Sequence, residues 1–263
     1  MDSISPTGPV GVPILTFHKV DRRFEWGVTR VSPGGFRKAL AFLKSEGYQT
    51  VPLGALCDPA ITPPVKPVVL TFDDSYESLY ENALPVLQEF GFTGTIFVVT
   101  GYVGSLNEWD VNLGWIKFRH LGWSQIETLR KASFEIESHT VNHPDLTRTG
   151  DVKLKSELGD SKKTIEDRLG TRVRFLSFPF GRYDGRVLDA MRRCGYERGV
   201  GFRVADPADK SLVFERRAYY LFDGLWNLRA KLGHNPLTAL EDVKLRWINF
   251  FSHGTALVKP HRE

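Results

Sequence analysis

The sequence predicts an α/β protein built on parallel strands. Short apolar segments rich in β-branched residues alternate along the chain with segments of helical periodicity, which is typical of a parallel sheet or barrel flanked by helices. The clearest unit joins a strand at 67–72, a helical segment at 76–90 and a strand at 93–100, which is the order and length of a parallel crossover. The length of 263 residues suits one large domain, and α/β barrels often reach this size.

Capping and breaking residues delimit the predicted helices. Ser32 is a good N-cap before Pro33, and Pro85 should break or restart the helical segment that contains it. Gly91 and Gly170 are natural helix stops. The other predicted elements are strands at 12–17, 48–51, 134–137, 174–178, 196–200 and 212–219, and helices at 33–46, 151–169 and 184–193.

Composition and charge argue against several classes of protein. The net charge of +4 is mild, and no basic stripe or zinc-finger spacing indicates a nucleic-acid partner. Two cysteines do not make a disulfide framework. The first 13 residues lack a basic region followed by an apolar stretch. We therefore expect no signal peptide and a cytoplasmic protein, unless a leader has been removed from the chain.

Two adjacent carboxylates, Asp73 and Asp74, follow the predicted buried strand at 67–72. Like charges this close repel each other, and burial disfavours both ionised forms, whereas a bound cation removes most of that cost. One interpretation is that one aspartate binds a metal ion and the other performs proton chemistry beside it. The other interpretation is that both begin a turn or cap the helix that follows.

A pair of histidines follows the strand predicted at 134–137. His139 and His143 are four residues apart, but Pro144 disfavours helical backbone at His143, so we place the pair on a loop at a strand end. Taken alone, the pair also fits an ordinary hydrogen-bonded loop. Two histidines and one aspartate make an open three-ligand site with a fourth position for water. These ligands suit zinc first, with cobalt, nickel or manganese as alternatives.

Three segments resemble the signature motifs of the polysaccharide deacetylases, carbohydrate esterase family 4. They are Thr71-Phe72-Asp73-Asp74, Ser138-His139-Thr140-Val141-Asn142-His143 and Phe178-Pro179-Phe180-Gly181. The resemblance extends over residues 12–220, and the order of the motifs makes it specific. It implies a distorted (β/α) barrel of about seven parallel strands over 1–220, followed by a helical C-terminal extension over 221–263.

The resemblance also implies roles for the motif residues. Asp74, His139 and His143 are implied as the metal ligands, and Asp73 as the general base. The backbone N–H of Phe180 is implied to join the metal in binding the oxyanion, which fits the general use of fixed backbone donors for developing charge.

The general acid departs from the commonest pattern of the family, which uses a histidine near the C-terminus. The segment Ile14-Leu15-Thr16-Phe17-His18 instead resembles the branch with a circularly permuted barrel. That branch includes poly-N-acetylglucosamine deacetylases and carries the acid on the first strand. We therefore expect His18 to be the acid, with a capped core histidine as the simpler alternative.

Three further positions depart from the family pattern, and one of them is Ser75, which replaces the glycine that typically follows the two aspartates. The arginine that pairs with the base aspartate usually stands two residues before the proline of the third motif, and Ser177 is found there instead. Arg217 is the first candidate to replace it and Arg216 the second, although either can be a solvated strand residue. Glu137 stands where a glycine usually precedes the second motif, and it could alter the field at the metal site or crowd the substrate.

The substrate contacts are expected from two regions. The insertion at 101–123 carries Trp109 and Trp115, which either stack on sugar rings or form a local core under a long loop. Pro179 and Tyr183, in and just after the third motif, are the other candidates.

The tail at 221–263 differs in character from the rest of the chain. Its amphipathic pattern favours a helix that packs on the barrel, with another subunit or a membrane surface as alternatives. The apolar positions of this pattern are Leu237, Leu240, Val243, Trp247, Ile248 and Phe251.

The resemblance, together with the candidate ligands and base, implies a metal-dependent hydrolase that removes N-acetyl groups from an N-acetylated amino sugar, present as a polysaccharide, an oligosaccharide or a lipid-linked saccharide. The alternatives are a deformylase or other carbon–nitrogen amidohydrolase on the same barrel, and a non-catalytic saccharide-binding protein. A lost ligand or base would mark the latter, but Asp73, Asp74, His139 and His143 are all present.

Overall fold

The computed structural model describes residues 11–23, 28–107, 117–204 and 206–233. Its strands are β1 (Ile14–Phe17), β2 (Lys19–Val20), β3 (Arg30–Val31), β4 (Gln49–Thr50), β5 (Pro67–Phe72), β6 (Thr95–Val98), β7 (Glu135–Ser138), β8 (Phe175–Ser177), β9 (Arg198–Gly201), β10 (Val213–Glu215) and β11 (Arg217–Ala218). Its α-helices are α1 (Pro33–Ser45), α2 (Leu84–Phe90), α3 (Trp123–Lys131), α4 (Asp151–Leu169), α5 (Gly185–Arg193) and α6 (Leu225–Lys231).

The main sheet is a parallel barrel that the last two strands close. Neighbouring strands follow the order β10-β9-β8-β7-β6-β5-β1-β11. β10 pairs with β9 and β11 pairs with β1, although only Arg216 separates β10 from β11 in the sequence. The segment 213–218 thus joins both edges of the sheet. This arrangement confirms the predicted distorted (β/α) barrel.

Alternate strand residues divide the barrel into an outer and an inner apolar layer. Val68 and Leu70 of β5 belong to the cluster formed with the surrounding helices. Val69, which lies between them, belongs with Phe97 and Phe175 to a second cluster. Because successive strand residues face opposite sides of a sheet, this second cluster fills the barrel interior. The same alternation decides which side chains enter the site at the strand ends.

The predicted helix boundaries agree with the structure where a capping or breaking residue marks them. Ser32 Oγ accepts a hydrogen bond from Gly35 N at 3.0 Å and so caps α1. Pro85 lies in the first turn of α2, after a π-helical turn at Leu79–Ala83, and restarts the helix as predicted. α2 and α4 end at Gly91 and Gly170, whose φ angles of 66° and 64° are left-handed.

One helix, α3, has no counterpart among the predicted elements, since its nine residues do not present a long periodic pattern. The helix α6 lies within the helical extension predicted at 221–263. The amphipathic tail segment predicted at 237–251 lies outside the described residues and stays a prediction. Within the described ranges, no helix has the length and apolar character needed to cross a membrane.

Candidate active site

Four candidate residues lie at the carboxyl ends of barrel strands. His18 follows β1, Asp73 follows β5, His139 follows β7, and Ser177 is the last residue of β8. These strands are parallel and hydrogen-bonded in a continuous order, so their carboxyl ends meet at the same rim of the barrel. Each residue is an even number of positions from an inward-facing residue of its strand, which turns its side chain toward the barrel axis.

Asp74, His139 and His143 bring their ligand atoms together as the sequence predicts. One atom from each residue lies within 4.8 Å of the others. The Oδ1 atom of Asp74 is 3.5 Å from Nε2 of His139 and 3.5 Å from Nε2 of His143. With metal–ligand bonds of about 2.0–2.2 Å, tetrahedral ligands lie roughly 3.4 Å apart, so these separations match a zinc-type site.

The carboxylate of Asp74 gives a separate indication of a cation site. Its Oδ1 is buried, and no hydrogen bond from any described residue reaches it. A buried carboxylate oxygen without a partner is costly, and a divalent ion between the three residues would satisfy it. The donor set and its spacing therefore fit a divalent metal ion.

A hydrogen bond behind His139 fixes the orientation of its ring. Nδ1 of His139 lies 2.8 Å from the carbonyl oxygen of Ser177. Because a carbonyl oxygen can only accept, Nδ1 carries the proton and Nε2 turns its lone pair toward Asp74. Orienting bonds of this kind are usual behind metal-ligating histidines.

The loop between the two histidines is anchored by Glu157 of α4. Its carboxylate accepts hydrogen bonds from the backbone N–H groups of Val141 at 3.0 Å and Asn142 at 2.8 Å, and from the side-chain amide of Asn142 at 2.8 Å. Sequence reasoning missed this residue. The available signal was that Glu157 falls on the apolar face of α4, between Leu154 and Leu158, where a charge needs a partner.

Three site residues have left-handed backbone although none is glycine. The φ angles are 65° for Asp74, 56° for His143 and 58° for Phe180. Such a conformation costs roughly 1–2 kcal/mol per residue and persists where the surroundings hold it, often at functional sites. At His143 the holding contact is the hydroxyl of Thr140, which accepts from His143 N at 3.0 Å.

Asp73 pairs with a buried arginine. Arg216 donates from Nη1 to Oδ1 of Asp73 at 2.7 Å and from Nη2 to Oδ2 at 2.5 Å, and its side chain is fully buried. The hydroxyl of Ser177 accepts from Arg216 Nη2 at 2.7 Å and donates to Asp73 Oδ2 at 3.2 Å. The small side chain of Ser177 thus leaves room for the guanidinium of Arg216, which lies between β10 and β11.

The first-ranked prediction, that Arg217 pairs with Asp73, is wrong, and the second candidate takes that place. Nη1 of Arg217 donates to the carbonyl oxygen of Lys231 at the end of α6, at 3.0 Å. Adjacent strand residues point to opposite sides, so only one of the two arginines can enter the barrel. Because Arg216 separates β10 from β11, the sequence does not show which of the two arginines faces inward.

Glu137 is part of the barrel wall. Its Oε2 accepts hydrogen bonds from the backbone N–H groups of Arg174 at 2.8 Å and Phe175 at 2.7 Å, the residue before β8 and the first residue of β8. Burial and the nearby Glu135 carboxylate raise its pKa well above the usual value. These bonds give the residue a structural role in place of the substrate-crowding role considered from the sequence.

His18 lies among the charged groups of the site with an unused ring nitrogen. Its Nδ1 is buried and has no hydrogen-bond partner among the described residues. Burial lowers the pKa of His18, and this effect exceeds the opposite influence of the Asp74 and Asp73 carboxylates. A free nitrogen beside two carboxylates is compatible with the predicted proton-transfer role.

Charge compensation keeps both aspartates ionised. Burial by itself would raise the pKa of Asp73, but Arg216 and His139 outweigh it and the pKa is lowered. The pKa of Asp74 is also lowered, because His139 and His143 outweigh burial there. In turn, the two carboxylates raise the pKa of His139 against the effect of its own burial.

The third motif lies beside this cluster. The ring of Phe180 packs edge-on against His143, with centroids 4.7 Å apart, and Pro179 is buried at the start of the same turn. Tyr183 stacks on Phe178 at 4.7 Å and donates from its hydroxyl to the carbonyl oxygen of Arg203 at 3.3 Å. Their substrate-binding roles stay predictions. The other two candidates, Trp109 and Trp115, lie outside the described residues.

Comparison with known proteins identifies the family. A sequence model described as "Polysaccharide deacetylase" matches residues 60–199, more than half of the chain. The chain belongs to the polysaccharide deacetylase family. The matched region contains Asp73, Asp74, His139 and His143, but it excludes His18 and Arg216.

Two relatives with deacetylase names are similar to the chain in sequence. YxkH of Bacillus subtilis (strain 168), whose name assigns it to the polysaccharide deacetylases, is 30% identical over 195 residues, covering 73% of this chain and 64% of the relative. A poly-β-1,6-N-acetyl-D-glucosamine N-deacetylase of Staphylococcus aureus (strain MRSA252) is 25% identical over 166 residues, covering 60% and 53%. The chain thus spans less than two thirds of the length of either relative.

The solved structure of Streptococcus pyogenes deacetylase PplD in complex with acetate is similar over most of the polysaccharide deacetylase barrel. It aligns with a TM-score of 0.73 and 26% identity, covering 85% of this chain and 99% of that one.

Proposed function

We propose that this polysaccharide deacetylase family member is a metal-dependent hydrolase that removes N-acetyl groups from an N-acetylated amino sugar. The observation that carries the proposal is a three-ligand cluster of Asp74, His139 and His143 directly beside a second buried carboxylate. Oδ2 of that carboxylate, Asp73, lies 3.8 Å from Nε2 of His139. One aspartate is therefore available to bind a cation, and its neighbour to accept a proton.

Amide hydrolysis needs an activated water, stabilisation of a developing oxyanion and a proton for the leaving amine. A bound divalent metal would activate the water and polarise the carbonyl, and zinc suits two imidazoles and a carboxylate best. The remaining requirements fall on residues of the chain.

Asp73 is the candidate general base. The charges around it lower its pKa, so it stays ionised and ready to accept the proton of the attacking water. Its two bonds to Arg216 and its bond from Ser177 fix the direction of its oxygens. Holding the base in one orientation is a large part of what an enzyme contributes to such a step.

His18 is the candidate general acid, and Phe180 the candidate oxyanion donor. His18 follows β1, which pairs directly with the strand that carries Asp73, so acid and base would act from neighbouring strands. Its Nδ1 has no partner among the described residues, and burial lowers the pKa of His18, so a proton carried by the ring is readily passed to the leaving amine. The backbone N–H of Phe180 lies in the turn that packs on His143, where a fixed donor can stabilise negative charge on the substrate oxygen.

The proposed substrate class is an N-acetylglucosamine-type saccharide, either polymeric or oligomeric. The support is the Staphylococcus aureus relative, which is named for poly-β-1,6-N-acetyl-D-glucosamine. A lipid-linked saccharide carries the same acetamido group and belongs to the same proposal.

Acetate release tests the proposal directly. Metal-stripped protein is incubated with short N-acetylglucosamine oligomers, with and without zinc or cobalt, beside Asp73→Asn and His18→Ala. We expect release only with metal, and its loss in both variants while metal still binds. Oligomers with N-formyl groups form a parallel arm, in which release of formate without acetate would favour a deformylase. Failure of the unsubstituted protein to bind either metal would refute the proposed function.

A further inference from the structure

The turn after β5 is clamped by a short segment, 119–121, at the end of the long insertion. The N–H of Leu121 donates to the carbonyl oxygen of Ser75 at 2.8 Å, and the N–H of Glu77 donates to the carbonyl oxygen of Arg119 at 2.8 Å. The segment therefore lies along the turn as a partial antiparallel strand. The insertion therefore contacts the turn that follows the metal ligand Asp74, and the sequence does not indicate this contact.

His120, in the middle of this segment, contacts the metal ligand Asp74. Its Nδ1 lies 2.6 Å from the carbonyl oxygen of Asp74. Because that oxygen can only accept, Nδ1 carries a proton and donates it. The side chain is fully buried, and its ring stacks on Tyr76 with centroids 4.7 Å apart and an interplanar angle of 27°. The ring is thus held in one orientation while it makes this bond.

The backbone that receives the bond is in an unfavourable conformation. Asp74 and Ser75 are consecutive, neither is glycine, and both have left-handed φ angles of 65° and 51°. L-residues seldom adopt this region, so two in a row require contacts that hold them. The carbonyl of Asp74 is tied to His120 and that of Ser75 to Leu121, one bond for each strained residue.

We propose that His120 is a positioning residue of the metal centre. Its Nδ1–H holds Asp74 in the left-handed conformation that turns Oδ1 toward His139 and His143. His120 itself does not contribute a ligand atom to the cluster. The inference rests on the proposed metal-dependent function, since it concerns how that function's ligand is aimed.

Two substitutions separate the hydrogen bond from the packing of the ring. His120→Asn keeps a donor at the δ position and loses the ring, whereas His120→Phe keeps a ring and loses the donor. Loss of a bond that orients a metal ligand typically weakens metal affinity by about 10–100-fold, and we expect this of His120→Phe. His120→Asn should bind zinc nearly as tightly as the unsubstituted protein. The visible absorption of bound Co(II) should change only in His120→Phe, because it reports the geometry of the ligands.

The reverse order, with His120→Asn weakened and His120→Phe unaffected, would overturn the proposal and assign His120 a packing role. Equal zinc affinities in all three proteins would overturn it as well. If His120→Phe does not fold, imidazole ¹H–¹⁵N NMR of the unsubstituted protein decides the matter, with His120→Asn identifying the signal. A ring without a proton on Nδ1 would refute the bond. Zinc binding without acetate release from the oligomers would count only against that substrate and move the proposal to another acyl group or a lipid-linked saccharide, and the affinity comparison would still stand.

Discussion

Asp73 and Arg216 are 143 positions apart in the chain and meet in a buried ion pair with two parallel hydrogen bonds. The arginine comes from the one residue that separates β10 from β11, so closure of the barrel and charge compensation of the candidate base occur at the same place. Ser177 completes the arrangement from β8. The position of the Asp73 carboxylate is thus defined by β5, by β8 and by the residue between β10 and β11.

Arg216→Gln should lower kcat by on the order of 10²-fold, since a misaligned base loses much of its contribution to proton transfer. It should also reduce the free energy of unfolding by about 3–5 kcal/mol, because the buried charge of Asp73 loses its partner. Arg217→Gln is the matched control at the adjacent position and should leave kcat nearly unchanged. Steady-state acetate release and urea unfolding measure both effects. A larger loss of kcat in Arg217→Gln would contradict the assignment.

Zinc should stabilise the protein through the ligand cluster. At a zinc concentration of about 100 times Kd, binding adds about 2.7 kcal/mol to the free energy of unfolding. For a chain of this size, that increment corresponds to a rise in Tm of roughly 5–10 °C. The rise should vanish in His143→Ala and persist in His18→Ala, because His18 is outside the cluster. Scanning calorimetry with and without zinc tests this, and an undiminished rise in His143→Ala would rule out the ligand set.

Glu157→Gln should weaken zinc binding about tenfold or more, the effect expected when contacts behind a metal ligand are lost. The carboxylate serves three N–H donors of the histidine loop, and an amide cannot accept from all of them. Asp160→Asn is the control, since Asp160 lies on the same helix and is exposed. Isothermal titration compares the two variants, and equal zinc affinities would show that Glu157 does not support the site.

Glu137 should make stability fall as the pH rises. Its pKa is raised in the folded protein, first by burial and then by Glu135. The folded protein therefore retains a proton that the unfolded chain releases above about pH 4.5, and unfolding becomes easier as the pH rises through that window. In Glu137→Gln this contribution is absent.

Urea unfolding of both proteins between pH 4.5 and pH 8 measures the effect of Glu137. The free energy of unfolding of Glu137→Gln, relative to the unsubstituted protein, should increase with pH. Parallel curves would contradict the shifted pKa.

Local sequence signals predicted the parallel α/β class and the candidate residues of the ligand cluster. Strand alternation and caps such as Ser32 are read within a few residues, and the structure reproduces them. The two aspartates and the two histidines could be recognised as candidates because both pairs lie just beyond apolar strands, and the ends of parallel strands converge on one rim. The assignment of Asp74, rather than Asp73, to the ligand cluster came from the family resemblance.

The contacts that support the cluster were not predictable in the same way. The choice between Arg216 and Arg217 depends on which of them faces the barrel interior. The break between β10 and β11, which pair with opposite edges of the sheet, makes this impossible to read from the alternation of the sequence. His120 lies in an insertion without periodicity, and its partner is a backbone carbonyl 46 positions away, which no side-chain pattern reveals. Such contacts follow from the tertiary arrangement alone.

The pairing of β11 with β1 also determines when, during synthesis, the candidate site can become complete. His18 directly follows β1, which precedes the other described strands in the sequence, and Arg216 lies in the last described segment of the barrel wall. A nascent chain that has already exposed both aspartates and both histidines still lacks the counter-charge of Asp73. Translation must therefore pass Arg216 before the carboxylate of Asp73 is held in place, so the proposed hydrolytic activity would arise only after the barrel has been sealed.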